Sequence, residues 1–200
     1  MSITRNTLAL AGVCAVASLG VLGAQQPPTK PAGGEHAGHP APAAAKAAAV
    51  GTTAVVKLNP ASGSNAHGEV TFTQQEKGVQ VVGNFTGLHM GEHAVHVHEK
   101  GDCSAPDATT AGGHFNPANK PHGAREAADR HAGDLGNFKV DPYGMGRVNF
   151  VDETLSLSGP NSIIGKAVIV HEKADDFTTQ PTGNAGARQA CGVIEEKKAS

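Results

Sequence analysis

Three histidines fall within the seven residues of the segment HAVHVHE, residues 93–99. Small or β-branched residues separate them, as is typical of a β-strand. Because side chains alternate between the two faces of a strand, His96 and His98 point the same way and His93 points the opposite way. His96 and His98 can therefore bind one metal ion together, and His93 cannot join them from the same face.

A second group of metal-binding side chains follows in the long segment 100–135. It consists of His114, His122, His131 and Asp134. Three imidazoles and one carboxylate suit tetrahedral zinc in a closed structural site. The remaining nitrogen ligands, His96, His98 and His171, suit Cu(II) in a tetragonal arrangement and leave one coordination position to fill.

Eight short segments rich in β-branched and aromatic residues indicate the elements that position these side chains. They are TAVVKL, GEVTFT, GVQVVGNF, HAVHVHE, GNFKV, RVNFV, AVIVHE and CGVI. Turns with glycine separate most of them, which predicts an all-β fold, an eight-stranded antiparallel barrel or sandwich. Segments 100–135 and 172–190 interrupt this pattern, and long loops in a compact domain are usually functional.

The overall composition narrows the class of protein. The chain has 200 residues and a net charge of −2, which suits one folded domain and gives no electrostatic case for binding nucleic acid. Aromatic residues make up only 4% of the chain, whereas 26 glycines and 12 prolines favour a loop-rich β fold over a helical bundle.

The N-terminal residues predict export. Residues 1–24 combine a short basic start, an apolar stretch and a small-residue ending, as in a secretory signal peptide. A membrane anchor and lipid attachment at Cys14 are less favoured, and we expect no stable membrane insertion after cleavage. Residues 25–50 are rich in Ala and Pro and predict a disordered tether, which leaves residues 51–197 as the folded domain. A periplasmic or extracellular location follows.

Removal of the signal peptide would leave two cysteines, Cys103 and Cys191, in an oxidising compartment. An even pair in such a compartment is usually a disulfide, and two buried free thiols are the less favoured alternative. The bond would connect the first long segment to the last predicted strand.

Several of these motifs together closely resemble the Cu,Zn superoxide dismutases over about residues 52–195. They are HVHEKGDC, GGHFNP, RHAGDLGN, SLSGPNSIIGKAVIVHEKADD and TGNAGARQACGVI. The resemblance implies a Greek-key arrangement of the strands. It also implies one copper and one zinc per chain, with copper bound by His96, His98, His114 and His171 and zinc bound by His114, His122, His131 and Asp134.

The same resemblance implies roles for the residues around the metals. His114 would bridge both metals and exchange a proton with the substrate, and Arg188 would orient the anionic substrate beside copper. Asp175 would accept hydrogen bonds from His96 and His122 and fix their tautomers. His93 would be a structural residue and not a ligand.

The function implied is the dismutation of superoxide to oxygen and hydrogen peroxide by a Cu(II)/Cu(I) cycle. The alternative is a secreted protein that binds or delivers copper and zinc on the same fold without turnover. The segment CSAPDATTAGGH is longer, and DDFTTQPTGNAGAR shorter, than in the common eukaryotic form. A homodimer is compatible with the resemblance, but the family uses more than one dimer surface and includes monomers.

Overall fold

A computed structural model of the chain describes residues 47–197, in which β-strands dominate. Within this range the strands are β1 (Thr53–Pro60), β2 (His67–Gln74), β3 (Val79–Thr86), β4 (Gly91–His98), β5 (Asp134–Val140), β6 (Gly146–Asp152), β7 (Ala167–His171), β8 (Arg188–Val193) and β9 (Glu195–Glu196). One 3-10 turn, Thr109–Ala111, lies between β4 and β5. None of the helical structure in this range is long and apolar enough to cross a membrane.

The strands form a closed antiparallel barrel. Its neighbours run in the order β1, β2, β3, β6, β5, β4, β7, β8, and β8 returns to pair with β1. The pairs β3–β6 and β4–β7 join strands that are not consecutive in the chain, which is the Greek-key arrangement. The predicted fold class is confirmed. The short strand β9 was not predicted, because its two exposed residues carry no hydrophobic pattern.

Apolar side chains from alternate strand positions fill the barrel. In β1, Ala54, Val56 and Leu58 are buried in the core, and the residues between them are more exposed. Deeper in the barrel the rings of Phe85 and Phe138 stack with their centroids 4.4 Å apart. This alternation is the pattern expected when one face of a strand lies on a core.

Strand β4 departs from that alternation, since all six residues from His93 to His98 are buried. Val95 and Val97 belong to the barrel core, so His96 and His98 lie on the outer face of the sheet.

Two long loops follow the strands that carry the candidate ligands: loop 99–133 follows β4 and loop 172–187 follows β7. Their limits correct the predicted segments 100–135 and 172–190, because β5 begins at Asp134 and β8 begins at Arg188. Hydrogen-bonded pairing extends both strands into sequence that has little β character.

A disulfide joins Cys103 in the first loop to Cys191 in β8, with the two Cα atoms 5.8 Å apart. The predicted pairing is confirmed. The bond closes a separation of 88 residues, for which the chain-entropy estimate is about 4 to 5 kcal/mol of stabilisation.

The predicted signal peptide, 1–24, and most of the predicted tether, 25–50, lie outside the described residues. The division of the chain into segments therefore stays a prediction.

Candidate metal centre

The structure brings the predicted ligands together into two adjoining sets. They are His96, His98, His114 and His171 in one set, and His114, His122, His131 and Asp134 in the other. Within each set the potential ligand atoms lie within 4.8 Å of one another, and every side chain is buried. His114 is common to both sets.

Five buried ring nitrogens in this cluster have no hydrogen-bond partner among the described residues. They are Nδ1 of His96 and His122 and Nε2 of His98, His114 and His171. Leaving one buried polar atom unpaired costs about 1 to 3 kcal/mol, so five in one place would be a large penalty. Metal coordination would remove this penalty, because each free nitrogen would become a ligand atom.

The second set is compact enough to hold one metal ion. Oδ1 of Asp134 lies 2.8 Å from Nδ1 of His114, 3.0 Å from Nδ1 of His122 and 3.3 Å from Nδ1 of His131. Nδ1 of His131 lies 3.4 Å from Nδ1 of His114. Tetrahedral zinc with bonds of about 2.0 to 2.1 Å separates its ligand atoms by about 3.3 Å. The four quoted separations lie within about 0.5 Å of this value, so these side chains could hold one zinc ion after small shifts.

The first set offers four imidazole nitrogens and no carboxylate, which suits copper. His114 contributes Nε2 on this side, because its Nδ1 faces Asp134. Its ring centroid lies 4.0 Å from that of His96 and 5.1 Å from that of His98. One imidazole can thus present its two nitrogens to two different metal ions.

A β-bulge positions Asp134. Ala94 pairs with Asn137, but His96, two residues later, pairs with Asp134, three residues earlier. The extra residue in β5 is accommodated next to Gly136, whose φ of 84° favours glycine. Oδ2 of Asp134 also accepts the backbone N–H of His131 at 2.9 Å, which ties the first loop to β5.

Asp175 links the two sets by contacting the ring nitrogens opposite the unpaired ones. Its Oδ2 accepts a hydrogen bond from Nε2 of His96 and its Oδ1 accepts one from Nε2 of His122, both at 2.8 Å. Burial opposes ionisation of Asp175, yet these two hydrogen bonds outweigh burial and hold the pKa of its carboxyl below the usual range. The side chain of Asn137 in turn holds the backbone N–H and C=O of Asp175, at 2.8 and 2.9 Å.

The environment also sets the protonation of the histidines. Burial lowers the pKa of His96 to about 4 and lowers the pKa values of His98 and His171 well below the ordinary value. These imidazoles are neutral at pH 7, which is the form that binds metal. Burial also disfavours charge on His122, but the two carboxylates beside its ring outweigh burial and raise the pKa of His122 to about 9.

Arg188 lies beside the first set and is held by backbone carbonyls. Its Nη1 donates to the carbonyl of Ala108 and its Nη2 to the carbonyl of Gly112, both at 2.7 Å. The same Gly112 carbonyl accepts a hydrogen bond from Nδ1 of His98 at 2.9 Å. Partial burial lowers the pKa of Arg188, which still leaves the guanidinium charged at pH 7.

Residues 66–194 match the family model described as copper/zinc superoxide dismutase (SODC). The chain belongs to this family. It is also similar to a crystal structure of the clock protein EA4, with 45% sequence identity and a TM-score of 0.67. That alignment covers 75% of this chain and 98% of the other.

Membership of the copper/zinc superoxide dismutase family implies copper and zinc as cofactors, and the two sets of ligands described above are consistent with both metals.

His93 lies apart from the two sets of ligands. Its Nδ1 is 2.8 Å from the carbonyl oxygen of His171 and its Nε2 is 2.9 Å from that of His89. Its ring connects three parts of the chain, in agreement with the opposite direction predicted from strand alternation.

One buried ion pair beside the second set was not predicted from the sequence. Nη2 of Arg130 donates to both carboxylate oxygens of Asp152, at 2.9 and 2.8 Å, and Nη1 donates to the carbonyl of His131 at 2.9 Å. Arg130 thereby holds the backbone next to a predicted zinc ligand. A basic residue beside His131 was visible in the sequence, but its partner is 22 residues away at the end of β6.

Proposed function

We propose that this chain is a superoxide dismutase that converts two superoxide anions and two protons into oxygen and hydrogen peroxide. The observation that carries this proposal is His114, whose two ring nitrogens face two different sets of ligands while Arg188 is held beside one of them. A metal store would need neither a shared imidazole nor a fixed cation next to its copper ligands.

Each of the two metals is proposed to bind to one of the two sets of ligands. Copper is bound by His96, His98, His114 and His171, and zinc is bound by His114, His122, His131 and Asp134, with one ion of each per chain. When bound, copper supplies the one-electron redox couple of the reaction and zinc supplies a fixed positive charge.

The protein side chains bind the substrate and move a proton. The guanidinium of Arg188 attracts superoxide and orients it by hydrogen bonding. Nε2 of His114, when it is not serving as a copper ligand, would hold one proton and pass it to superoxide as that anion is reduced. The second proton needed for hydrogen peroxide would come from water, and Nδ1 of the same ring would stay with the zinc ligands. Asp175 keeps the rings of His96 and His122 in one tautomer, so that their Nδ1 atoms remain available as ligands.

The second candidate is a protein that binds or delivers copper and zinc without turnover. The similarity to a protein named for a clock role, and not for dismutation, favours keeping this candidate. The two candidates share the metal sites and differ in turnover alone, so metal content by itself does not separate them.

The decisive experiment measures metal content and superoxide consumption on one sample. The chain from residue 25 onward is loaded with zinc and then with copper, and superoxide decay is followed after rapid mixing. We expect one copper and one zinc per chain and rapid decay. The matched control is His171→Ala, which should keep zinc, lose copper and consume no superoxide. Full loading of the wild-type chain without accelerated decay would favour the metal-binding candidate.

We further propose that the protein is exported. The Cys103–Cys191 disulfide is typical of an oxidising compartment, and residues 1–24 have the composition of a signal peptide. Expression of the full chain followed by N-terminal sequencing of the exported product should give a new N-terminus near Gln25. A product that stays in the cytoplasm with Met1 intact would contradict export.

A further inference from the structure

Gln180, in the loop 172–187, contacts a predicted zinc ligand through the ligand's backbone. Its Oε1 accepts the backbone N–H of His122 at 2.8 Å, and its Nε2 donates to the backbone carbonyl of His122 at 2.9 Å. One side-chain amide thus pairs with a residue 58 positions away in the way a neighbouring strand would. No motif in the sequence marks this contact.

The backbone of His122 depends on that amide. His122 is 3% exposed, and among the described residues its backbone N–H and C=O have no other hydrogen-bond partner. Buried backbone groups are almost always paired, since an unpaired one costs about 1 to 3 kcal/mol. The His122 ring is fixed at Nε2 by Asp175, so Gln180 fixes the other end of the same residue.

The loop is shaped so that it presents Gln180 at this position. The carboxylate of Asp176 accepts the backbone N–H groups of Thr178 and Thr179 at 2.9 and 2.8 Å, which closes a tight turn just before Gln180. After it, Gly183 lies so close to Asp175 and His122 that a Cβ atom there would overlap the Asp175 carboxylate. The short loop is therefore packed directly against the zinc set.

We propose that Gln180 is a positioning residue for zinc: by holding the His122 backbone it makes the loop 172–187 part of the zinc site and slows zinc release. This inference rests on the proposed zinc set. Gln180 is a neutral amide outside both sets of ligands, and its proposed role is to keep the ligand His122 in place.

The test compares Gln180→Met with wild type in the full mature chain. Methionine keeps the length of the side chain and removes both hydrogen bonds. Losing two hydrogen bonds predicts zinc release to a competing chelator that is up to about thirtyfold faster, which corresponds to about 2 kcal/mol. Gln180→Glu, which keeps an acceptor for the N–H but has no donor for the carbonyl, should fall between the two. The matched control, Gln75→Met in the β2–β3 turn, should release zinc at the wild-type rate.

A second readout separates positioning from general stabilisation. The melting temperature is measured for each variant with and without zinc, and the difference reports stabilisation by the metal. Gln180→Met should reduce this difference, whereas Gln75→Met should leave it unchanged. An equal loss of melting temperature in both forms, together with wild-type zinc release, would overturn the proposal. Neither readout needs turnover, so absence of dismutase activity would refute the proposed function while zinc release still decides the role of Gln180.

Discussion

The two sets of ligands are built from different parts of the fold. Three of the four proposed copper ligands, His96, His98 and His171, lie in strands β4 and β7, which pair with each other. Three of the four proposed zinc ligands, His114, His122 and His131, lie in the loop 99–133, and only Asp134 lies in a strand. The barrel itself supports the copper set, whereas the loop must be held in shape by other contacts.

The two modes of support indicate which of the two metals stabilises the fold. The hydrogen bonds of a β-ladder hold the copper ligands in register whether or not an ion is present. The loop has no such ladder along most of its length and is held by a disulfide, an ion pair and side-chain hydrogen bonds. We therefore expect zinc to contribute to folding stability and copper to contribute mainly to chemistry.

The largest expected effect comes from removing the covalent attachment of the loop. The double variant Cys103→Ala with Cys191→Ala should lower the free energy of unfolding by up to about 4 to 5 kcal/mol, measured by urea titration of the zinc-loaded chain. Reduction of the wild-type chain should give the same loss. A stability equal to that of the oxidised protein would show that the loop does not need this link.

Breaking the zinc set should have the next largest effect. His131→Ala should lose zinc and with it the stabilisation by metal binding, about 4 kcal/mol if free zinc exceeds the dissociation constant a thousandfold. For a domain of this size the melting temperature should fall by roughly 8 to 16 °C. Copper binding should survive. His67→Ala, an exposed histidine on β2, serves as the control, and unchanged zinc content in His131→Ala would contradict the assignment.

Replacing the fixed cation tests the copper side without disturbing either metal. A unit charge about 6 Å from superoxide at an effective dielectric of about 60 contributes roughly 0.9 kcal/mol, or about a fivefold change in rate. Arg188→Ile should therefore slow superoxide decay about fivefold or somewhat more at low salt, and added salt should slow the wild type only mildly. An Arg188→Ile rate equal to wild type at full copper occupancy would exclude this role.

The smallest expected effect comes from Asp107, an acidic residue near Arg188. Asp107 precedes Ala108, whose carbonyl holds Arg188, and its Oδ1 accepts the N–H and hydroxyl of Thr109 at 3.1 and 2.7 Å. Its negative charge opposes the approach of an anion, so Asp107→Asn should raise the rate about twofold at low salt. Glu76→Gln, the same charge change in the β2–β3 turn, is the control, and equal acceleration in both variants would indicate a net-charge effect.

Much of the site could be predicted because its chemistry is local in the sequence. The parity of His93, His96 and His98 along one strand separates two potential ligands from one framework residue, and the structure places them accordingly. The spacing of polar and apolar residues similarly indicated the eight barrel strands. The two-residue strand β9 and the exact loop limits were missed, because backbone pairing, and not side-chain pattern, defines them.

The sequence alone therefore shows which residues carry imidazole, carboxylate and thiol groups. It also shows that His96 and His98 share one face of β4. The tertiary structure decided how they are held. Arg188 is fixed by two carbonyls 76 and 80 residues away, and His122 by an amide 58 residues away. Backbone carbonyls and N–H groups occur at nearly every residue, so contacts to them leave no signature in the sequence and arise only when the barrel closes.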